Sequence, residues 1–464
     1  MKYLFACFFA VLSFSPQLSA QCASCQPADG ANGSHHSDRY GAYPFSEDGN
    51  AGTTKYISST WSTLMSGCDL DGNSNIVPAA GQSVNSLLHA YIDVVSISPT
   101  PPSGTVVSYE VTLSVDGTVW GDFIRQYVGT PNQGDYFSAV AVNVPSSPAK
   151  HSYSVSARTL TSGYTLTVSN VLTSSQAAPT SLVAGRTVLS SPVSTAAGTW
   201  TQLMSLNFST TQKIDVLPNY YLEFTAPSRH HLSVSIAVDG VSRISEIVAP
   251  ASGTTGVNVM GYANGLLSGS HTLEAWVVDR DGGVVTASRG QLDFISFLQS
   301  NTDAVMAYSD QPPSGHTNPE TIHSYADTEE PQFTNTGCGG WTKLVEFDMP
   351  AANGANWTGA GYVELLGHPA HNGSTQNWTN PRGEVAVETV TNAVSEMGWY
   401  TIDIPADRGQ VNFSLDSMLW GNSPPNHVTL WIRKDTCAGG SGTFNVGKRY
   451  LAVKLVPSDN SCHE

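Results

Sequence analysis

The chain has 464 residues, 40% of them apolar and only 12% charged, with 20 Lys+Arg set against 37 Asp+Glu. That acidic balance leaves no basic footprint for a phosphate backbone or an anionic membrane, which excludes nucleic acid as a partner. Abundant Gly, Ser, Thr and Val with few Lys or Glu disfavours long helices and suits short strands joined by turns, so the expected fold class is all-β.

Met1 to Ala20 has the form of a secretory signal: Lys2 supplies a short positive region, Leu4 to Phe14 an apolar one, and Leu18-Ser19-Ala20 a small-residue cleavage site. The expected mature start is Gln21. Because Gln21 precedes Cys22, no cysteine directly follows the cleavage site to carry a lipid. No later run reaches about 18 apolar residues, so no membrane insertion is expected and the product is read as secreted and extracellular. Loss of Cys7 with the signal leaves Cys22, Cys25, Cys68, Cys338, Cys437 and Cys462, an even count that in an exported chain favours disulfides over metal thiolates. Cys22 and Cys25 form a C-x-x-C, but with no helical pattern after it and no second such pair it reads as part of that disulfide framework.

Residues 21–52 are polar and Gly/Ser/His-rich and read as an extended leader. Residues 53–178 form a first unit that opens with TWSTLMS (Thr60 to Ser66), continues through VTLSVDGTV (Val111 to Val119) and reaches VPSSPAKHSYSVSA (Val144 to Ala157). Residues 179–299 repeat that order with TWTQLMS (Thr199 to Ser205), VSIAVDGVS (Val234 to Ser242) and GLLSGSHTLEAWVV (Gly265 to Val278). A stretch at 300–337, with QPPSGHTNPE and DTEEPQ, reads as a linker or long insertion. Residues 338–464 hold a third, Trp-rich unit with GWTKLVE (Gly340 to Glu346) and WGNSPPNHVTLWIR (Trp420 to Arg433).

Trp61, Trp200 and Trp341 lie 139 and 141 residues apart, a period far too long for a solenoid or propeller. Each unit alternates apolar and polar residues over short runs, as where Leu273, Ala275 and Val277 share one face, and each breaks into turns every 8 to 12 residues or so. The expectation is therefore three tandem jelly-roll-like β-sandwich domains, each with its own core, strung in line like beads. Trp200, if it sits in a core, makes Trp200→Ala cost roughly 3 to 5 kcal/mol. Val238-Asp239-Gly240 followed by Gly269-Ser270-His271-Thr272 resembles β-sandwich modules that occur in tandem in secreted and appendage-type bacterial proteins and in phage fibres. The resemblance implies a binding or structural role.

His151, His271 and His427 occupy one repeat position and read as structural, each bonding the loop before its strand. His368 and His371, with Glu384 and Glu388 downstream, have ligand types that suit zinc, but Pro369 breaks any helix that would align them. Asp69, Asp71, Asn73 and Asn75 stand at alternate positions as calcium ligands do, although the glycine and glutamate spacing of an EF-hand is missing. No cofactor is otherwise expected. The common hydrolase, zinc-protease and nucleotide motifs do not occur, so an enzyme is the less favoured reading. The alternative is an extracellular glycan-active hydrolase, with Glu364, Glu384, Glu388 and Asp403 as the carboxylates to inspect.

Trp357 and Trp378 lie among Asn, Gly and Thr, a loop-like setting in which an indole can stack on a sugar face, and they are the candidate ligand-binding residues. Trp341, Trp420 and Trp431 fit strands and are read as core. Cys338 precedes the opening strand of the third unit and Cys437 follows the strand carrying Trp431, so this pair is the expected disulfide; Cys22, Cys25, Cys68 and Cys462 then allow three pairings. The function expected from sequence is a secreted binding or structural protein that recognises a glycan or cell surface through its C-terminal unit. A further alternative is a self-assembling homo-oligomer or fibre in which the leader adds a strand to a neighbour.

Overall fold

A computed structural model describes residues 54–66, 75–76, 83–102, 104–128, 133–147, 151–226, 230–249, 253–279 and 282–298, together with strands at 36–38, 45–49, 320–322, 342–348, 355–365, 382–391, 394–403, 409–416, 427–435 and 444–457. Among the described residues there is no helix. The first unit contains β1 (His36–Asp38), β2 (Phe45–Gly49), β3 (Lys55–Ile57), β4 (Ser62–Ser66), β5 (Asn75–Ile76), β6 (Val84–Ser98), β7 (Val106–Val115), β8 (Thr118–Val128), β9 (Gln133–Val144), β10 (His151–Thr159) and β11 (Thr165–Pro179). The second contains β12 (Ala184–Val188), β13 (Val193–Ser194), β14 (Thr201–Thr210), β15 (Ile214–Ala226), β16 (His230–Val238), β17 (Val241–Ala249), β18 (Gly253–Met260), β19 (Ala263–Leu266), β20 (Gly269–Asp279) and β21 (Thr286–Leu298). The third contains β22 (Glu320–Ile322), β23 (Thr342–Asp348), β24 (Ala355–Leu365), β25 (Arg382–Thr391), β26 (Val394–Asp403), β27 (Gly409–Asp416), β28 (His427–Asp435) and β29 (Phe444–Pro457).

These strands build six antiparallel sheets in three pairs, and the order is the same in each pair. One sheet runs β2-β11-β6-β9, β12-β21-β15-β18 or β22-β29-β24-β27; its mate runs β4-β10-β7-β8, β14-β20-β16-β17 or β23-β28-β25-β26. If the eight shared strands are lettered B to I in chain order, the sheets read B-I-D-G and C-H-E-F three times, which is the jelly-roll connection. Strand alternation fills the sandwiches: Val107, Tyr109, Val111 and Leu113 are fully buried on one face of β7, and Leu273, Ala275 and Val277 on one face of β20. The leader and the linker each supply a strand to these sheets. β2 pairs with β11, and β22 pairs with β29, so both stretches are part of the sandwiches although their short, polar edge strands carry no strong sequence signal.

The repeated Trp phrase marks one structural device. In all three units the tryptophan stands one residue before strand C, and the leucine three residues after it is an extra residue in the ladder. Thr63 opposes Ser156 while Met65 opposes Val155, leaving Leu64 over; Leu203 and Leu344 are left over in the same way. Such a bulge lets two successive side chains face inward, and Leu64 and Met65 are both buried. Trp61 is 44% exposed and Trp200 only half-buried, so the condition of a core Trp200 is not met: the bulge, not the indole, fills the sandwich. Trp341 and Trp420, read as core, lie outside the described residues. Trp431, by contrast, is buried.

The units are not beads in a line. Strand F of each lies against strand G of the next, β8 on β18, β17 on β27 and β26 on β9, and the three G strands β9, β18 and β27 touch one another. The ring closes with threefold pseudo-symmetry. At the first junction the apolar cores interlock: Leu87, Val140 and Ala178 join the second unit's core, while Tyr221 enters the first. Its ring stands edge-on to Phe123 at 4.9 Å, and its hydroxyl accepts a 2.8 Å hydrogen bond from the Ile124 amide. Gly256 permits this approach, since a Cβ there would lie 2.6 Å from both the Ile124 carbonyl oxygen and the Tyr221 hydroxyl. Gly256→Ala should therefore lower stability by about 1–3 kcal/mol in a chemical melt, as overpacking does. Small-angle scattering should give a radius of gyration near the ~22 Å of a compact chain of this length; a markedly larger value would mean that the ring is open.

Candidate functional site

The histidines at the head of strand H resolve into clasps. His151 Nδ1 lies 2.5 Å from Asp116 and its Nε2 2.7 Å from the Pro145 carbonyl; His271 repeats this with Asp239 at 2.6 Å and Leu267 at 2.8 Å. Each aspartate begins the turn between strands E and F at positive φ, 48° and 50°, with Gly117 and Gly240 beside it, and its other oxygen accepts the amide after the histidine. Burial works against a charge on His271, but its bonds to Asp239 and the Leu267 carbonyl prevail and raise its pKa. Both ring nitrogens are engaged within the fold. His427 does not share the register, since it opposes Val390 inside the ladder, whereas the residue opposite Val115 at the end of strand E is Tyr153, two beyond His151.

A polar network seals the middle of the first junction. Ser138 of β9 donates from its amide to Asn258 (2.6 Å) and from its hydroxyl to Asn219 (2.6 Å); the Asn219 amide donates to the Ser138 carbonyl (2.8 Å) and to Asp293 (3.0 Å). Asp293 also accepts from the Val140 amide and from Gln291. Burial pushes Asp293 up to about 6 in spite of these donors and of Arg186.

At the rim, three carboxylates share two guanidiniums. Glu110 on β7 takes Arg158 at 2.7 Å; Arg289 of the second unit bonds Asp122 on β8 and lies 2.6 Å from Glu223 and 3.9 Å from the far oxygen of Glu110. Burial, reinforced by the charge and hydrogen bond of Glu110 and opposed by Arg289, pushes Asp122 up to about 6. Two-acid glycoside cleavage sets its carboxyls about 5 Å or more apart. Glu110 and Asp122 are instead both tied to arginines, an arrangement that clasps two units. Next to it, Arg158 lies 4.7 Å from the ring centroid of the exposed Trp61. The outer face between them is lined by hydroxyls: Ser114 and Ser154 are bonded at 2.7 Å, Ser156 and Thr63 at 3.4 Å. Sequence reasoning missed this surface because Glu110, Asp122 and Arg158 carry no motif and nothing local marks Trp61 as exposed.

Of the residues singled out from sequence, Trp378, His368, His371, Asp69, Asp71, Asn73, Cys338 and Cys437 lie outside the described residues. Trp357 stands in β24 opposite Leu455, in a strand and not in a loop, with its side chain outside what is described. Asn75 is in β5 opposite Ser152. Glu384 and Glu388 lie two turns of the pleat apart on β25, Glu364 on β24 in the other sheet, and Asp403 at the end of β26 opposite Arg382, so the four carboxylates read as glycosidase candidates are divided between two sheets. Among the described residues no three His, Cys, Asp or Glu side chains converge as metal ligands, and no helix is long and apolar enough to cross a membrane.

No family model matches the chain, and no curated protein does. Among solved structures it weakly resembles tandem jelly-roll proteins. One is the CBM22-1–CBM22-2 tandem domain of Xyn10C from Paenibacillus barcinonensis, at 10% identity over 57% of this chain and 93% of that one, with a TM-score of 0.19. Another is the triple jelly roll of an archaeal virus turret, at 8% identity over 87% and 91%, TM-score 0.19. It also matches PNGase F, a glycosylasparaginase from Flavobacterium meningosepticum, at 9% identity over 59% of this chain and 96% of that one, TM-score 0.28. Likeness of this degree carries nothing about chemistry.

The burial of Asp122 has a direct consequence. The folded state holds the Asp122 proton to a higher pH than an ordinary aspartate at 3.8 would, so this carboxyl weighs against folding as pH rises through about 6. Carbon-detected NMR should show Asp122 titrating near 6, and Asp122→Asn should gain in melting temperature on the parent between about pH 4.5 and 7.5. Titration near the ordinary value would mean that Asp122 is not buried at the junction.

Proposed function

We propose that this chain is a secreted, extracellular binding and structural protein, a ring of jelly rolls that attaches to a glycan or cell surface. The observation that supports this best is Trp61: an indole 44% exposed, backed by the Arg158 guanidinium and set at the edge of a hydroxyl-lined sheet face. An aromatic plate beside hydroxyls offers the apolar C–H face of a sugar a surface to stack on and its hydroxyls partners to bond. Trp357 and Trp378 are proposed as further contacts in the third unit. Export rests on the signal-like Met1 to Ala20. Assembly into fibres through a donated leader strand finds less support, because β1 pairs with β2 and β2 with β11 of its own chain.

Retention on insoluble polysaccharides, scored together with released reducing sugar, tests the proposal. The intact protein should be retained without releasing sugar. Trp61→Ala should be retained about tenfold less, equivalent to ~1.4 kcal/mol, with an unchanged melt because the side chain is largely outside the core. Sugar release would favour the hydrolase reading; retention indifferent to Trp61 would remove the platform.

A further inference from the structure

A cleft of about 380 Å³ opens where the first unit passes into the second. Its walls are the end of β9, the connector at 180–183 and the turn between β14 and β15. Its floor is Asn85, only 2% exposed, whose amide donates to the Leu182 carbonyl at 3.2 Å and whose oxygen accepts from the Asn143 amide at 3.0 Å. With that carboxamide already satisfied, the floor is rigid and neutral. Around the mouth stand Asn143, Thr180, Ser181, Thr211 and Gln212, groups that both donate and accept hydrogen bonds, with Val142, Leu182 and Val183 as apolar wall. No Asp, Glu, Lys, Arg or His lines it.

That composition selects a class of ligand. A phosphate or a uronic acid would find no counter-charge, and a purely apolar molecule would strip water from the amides and hydroxyls without replacing their bonds. A neutral sugar ring carries hydroxyls that donate and accept and a C–H face for the apolar wall, and the volume lies at the small end of ligand sites. Asn143 holds a φ of 57°, a conformation that asparagine tolerates and glycine adopts freely, with its exposed carboxamide at the cleft mouth. We infer that this cleft is a second binding site, distinct from the Trp61 platform, that takes a single neutral hexose or N-acetylhexosamine ring. The inference rests on the glycan reading and names the ring it accepts.

Ligand-observed NMR and calorimetry on the full chain, with the methyl glycosides of glucose, galactose and N-acetylglucosamine and with methyl glucuronide as the charged control, test it. At least one neutral glycoside should bind and the glucuronide should bind more weakly. Asn143→Gly, which removes the carboxamide without straining the backbone, should weaken binding about fivefold or more with the melt unchanged; Gln212→Ala should add to the loss. Trp61→Ala should leave monosaccharide binding intact. Failure of every neutral glycoside to bind, or equal binding by the Asn143→Gly/Gln212→Ala double variant, overturns the inference. Polysaccharide retention that depends on Trp61, without monosaccharide binding, sinks the cleft and leaves the proposed function standing. Monosaccharide binding at the cleft with retention indifferent to Trp61 does the reverse.

Discussion

The bond from the Ile124 amide to the Tyr221 hydroxyl shows the constraint on which this architecture rests. A jelly roll is open along its F and G edges, and an edge strand such as β8 presents backbone donors that must find partners or stay in water. Here the next unit supplies them. Arg125 reaches from β8 to the Gly256 carbonyl at 2.7 Å, and the Val140 amide on β9 finds Asp293. Each unit lays its F strand on its neighbour's G strand, so among the described residues three copies close a circle.

Such a junction could have been greasy. It is greasy only in part, where Phe123, Tyr221 and Val140 meet, and its centre is the bonded set Ser138, Asn219, Asn258 and Asp293. Apolar contacts tolerate sliding, whereas a buried network whose amides and carboxylate bond one another is satisfied in a single registration and costly in any other. The same logic runs inside the first unit, where Tyr109 and Tyr127 both donate to Asp135 and Arg125 pairs with it before reaching across the junction. The seam thus fixes where one sandwich sits on the next, and the cleft beside the connector keeps its shape because of it.

What could be read in advance follows from this. Alternation that ends in a core is visible, so Leu273, Ala275 and Val277 were placed correctly, and a turn needing two left-handed residues announces itself as Asp-Gly. The repeated Trp phrase is legible as a repeat but not as a bulge, because the ladder's extra residue shows only in its partner strand. Asn219, Asn258 and Arg289 occupy outward positions of their strands, where polar residues ordinarily mean water, and nothing local distinguishes water from a neighbouring domain. Beads in a line was the natural expectation from such a pattern. The same blindness hid the rim cluster, whose members are drawn from β7, β8, β10, β15 and β21 and meet only once the second unit docks on the first.

Closing the ring also decides which surfaces remain for partners. Strand F stands at one edge of its sheet and strand C at the other, so when every F edge is turned onto the neighbouring unit every C edge is turned away from the axis. Trp61 and Trp200 each precede a C strand by one residue, which sets them at two related stations at the periphery. They need not be equal: Trp61 rests on Arg158 and is open, while Trp200 is half-buried. Under the proposed binding role, a polymeric ligand long enough to pass from one station to the next would gain attachment through effective concentration. A rigid ring suits that use better than a flexible string, because fixed spacing spares the ordering cost that a tethered module incurs on each added contact.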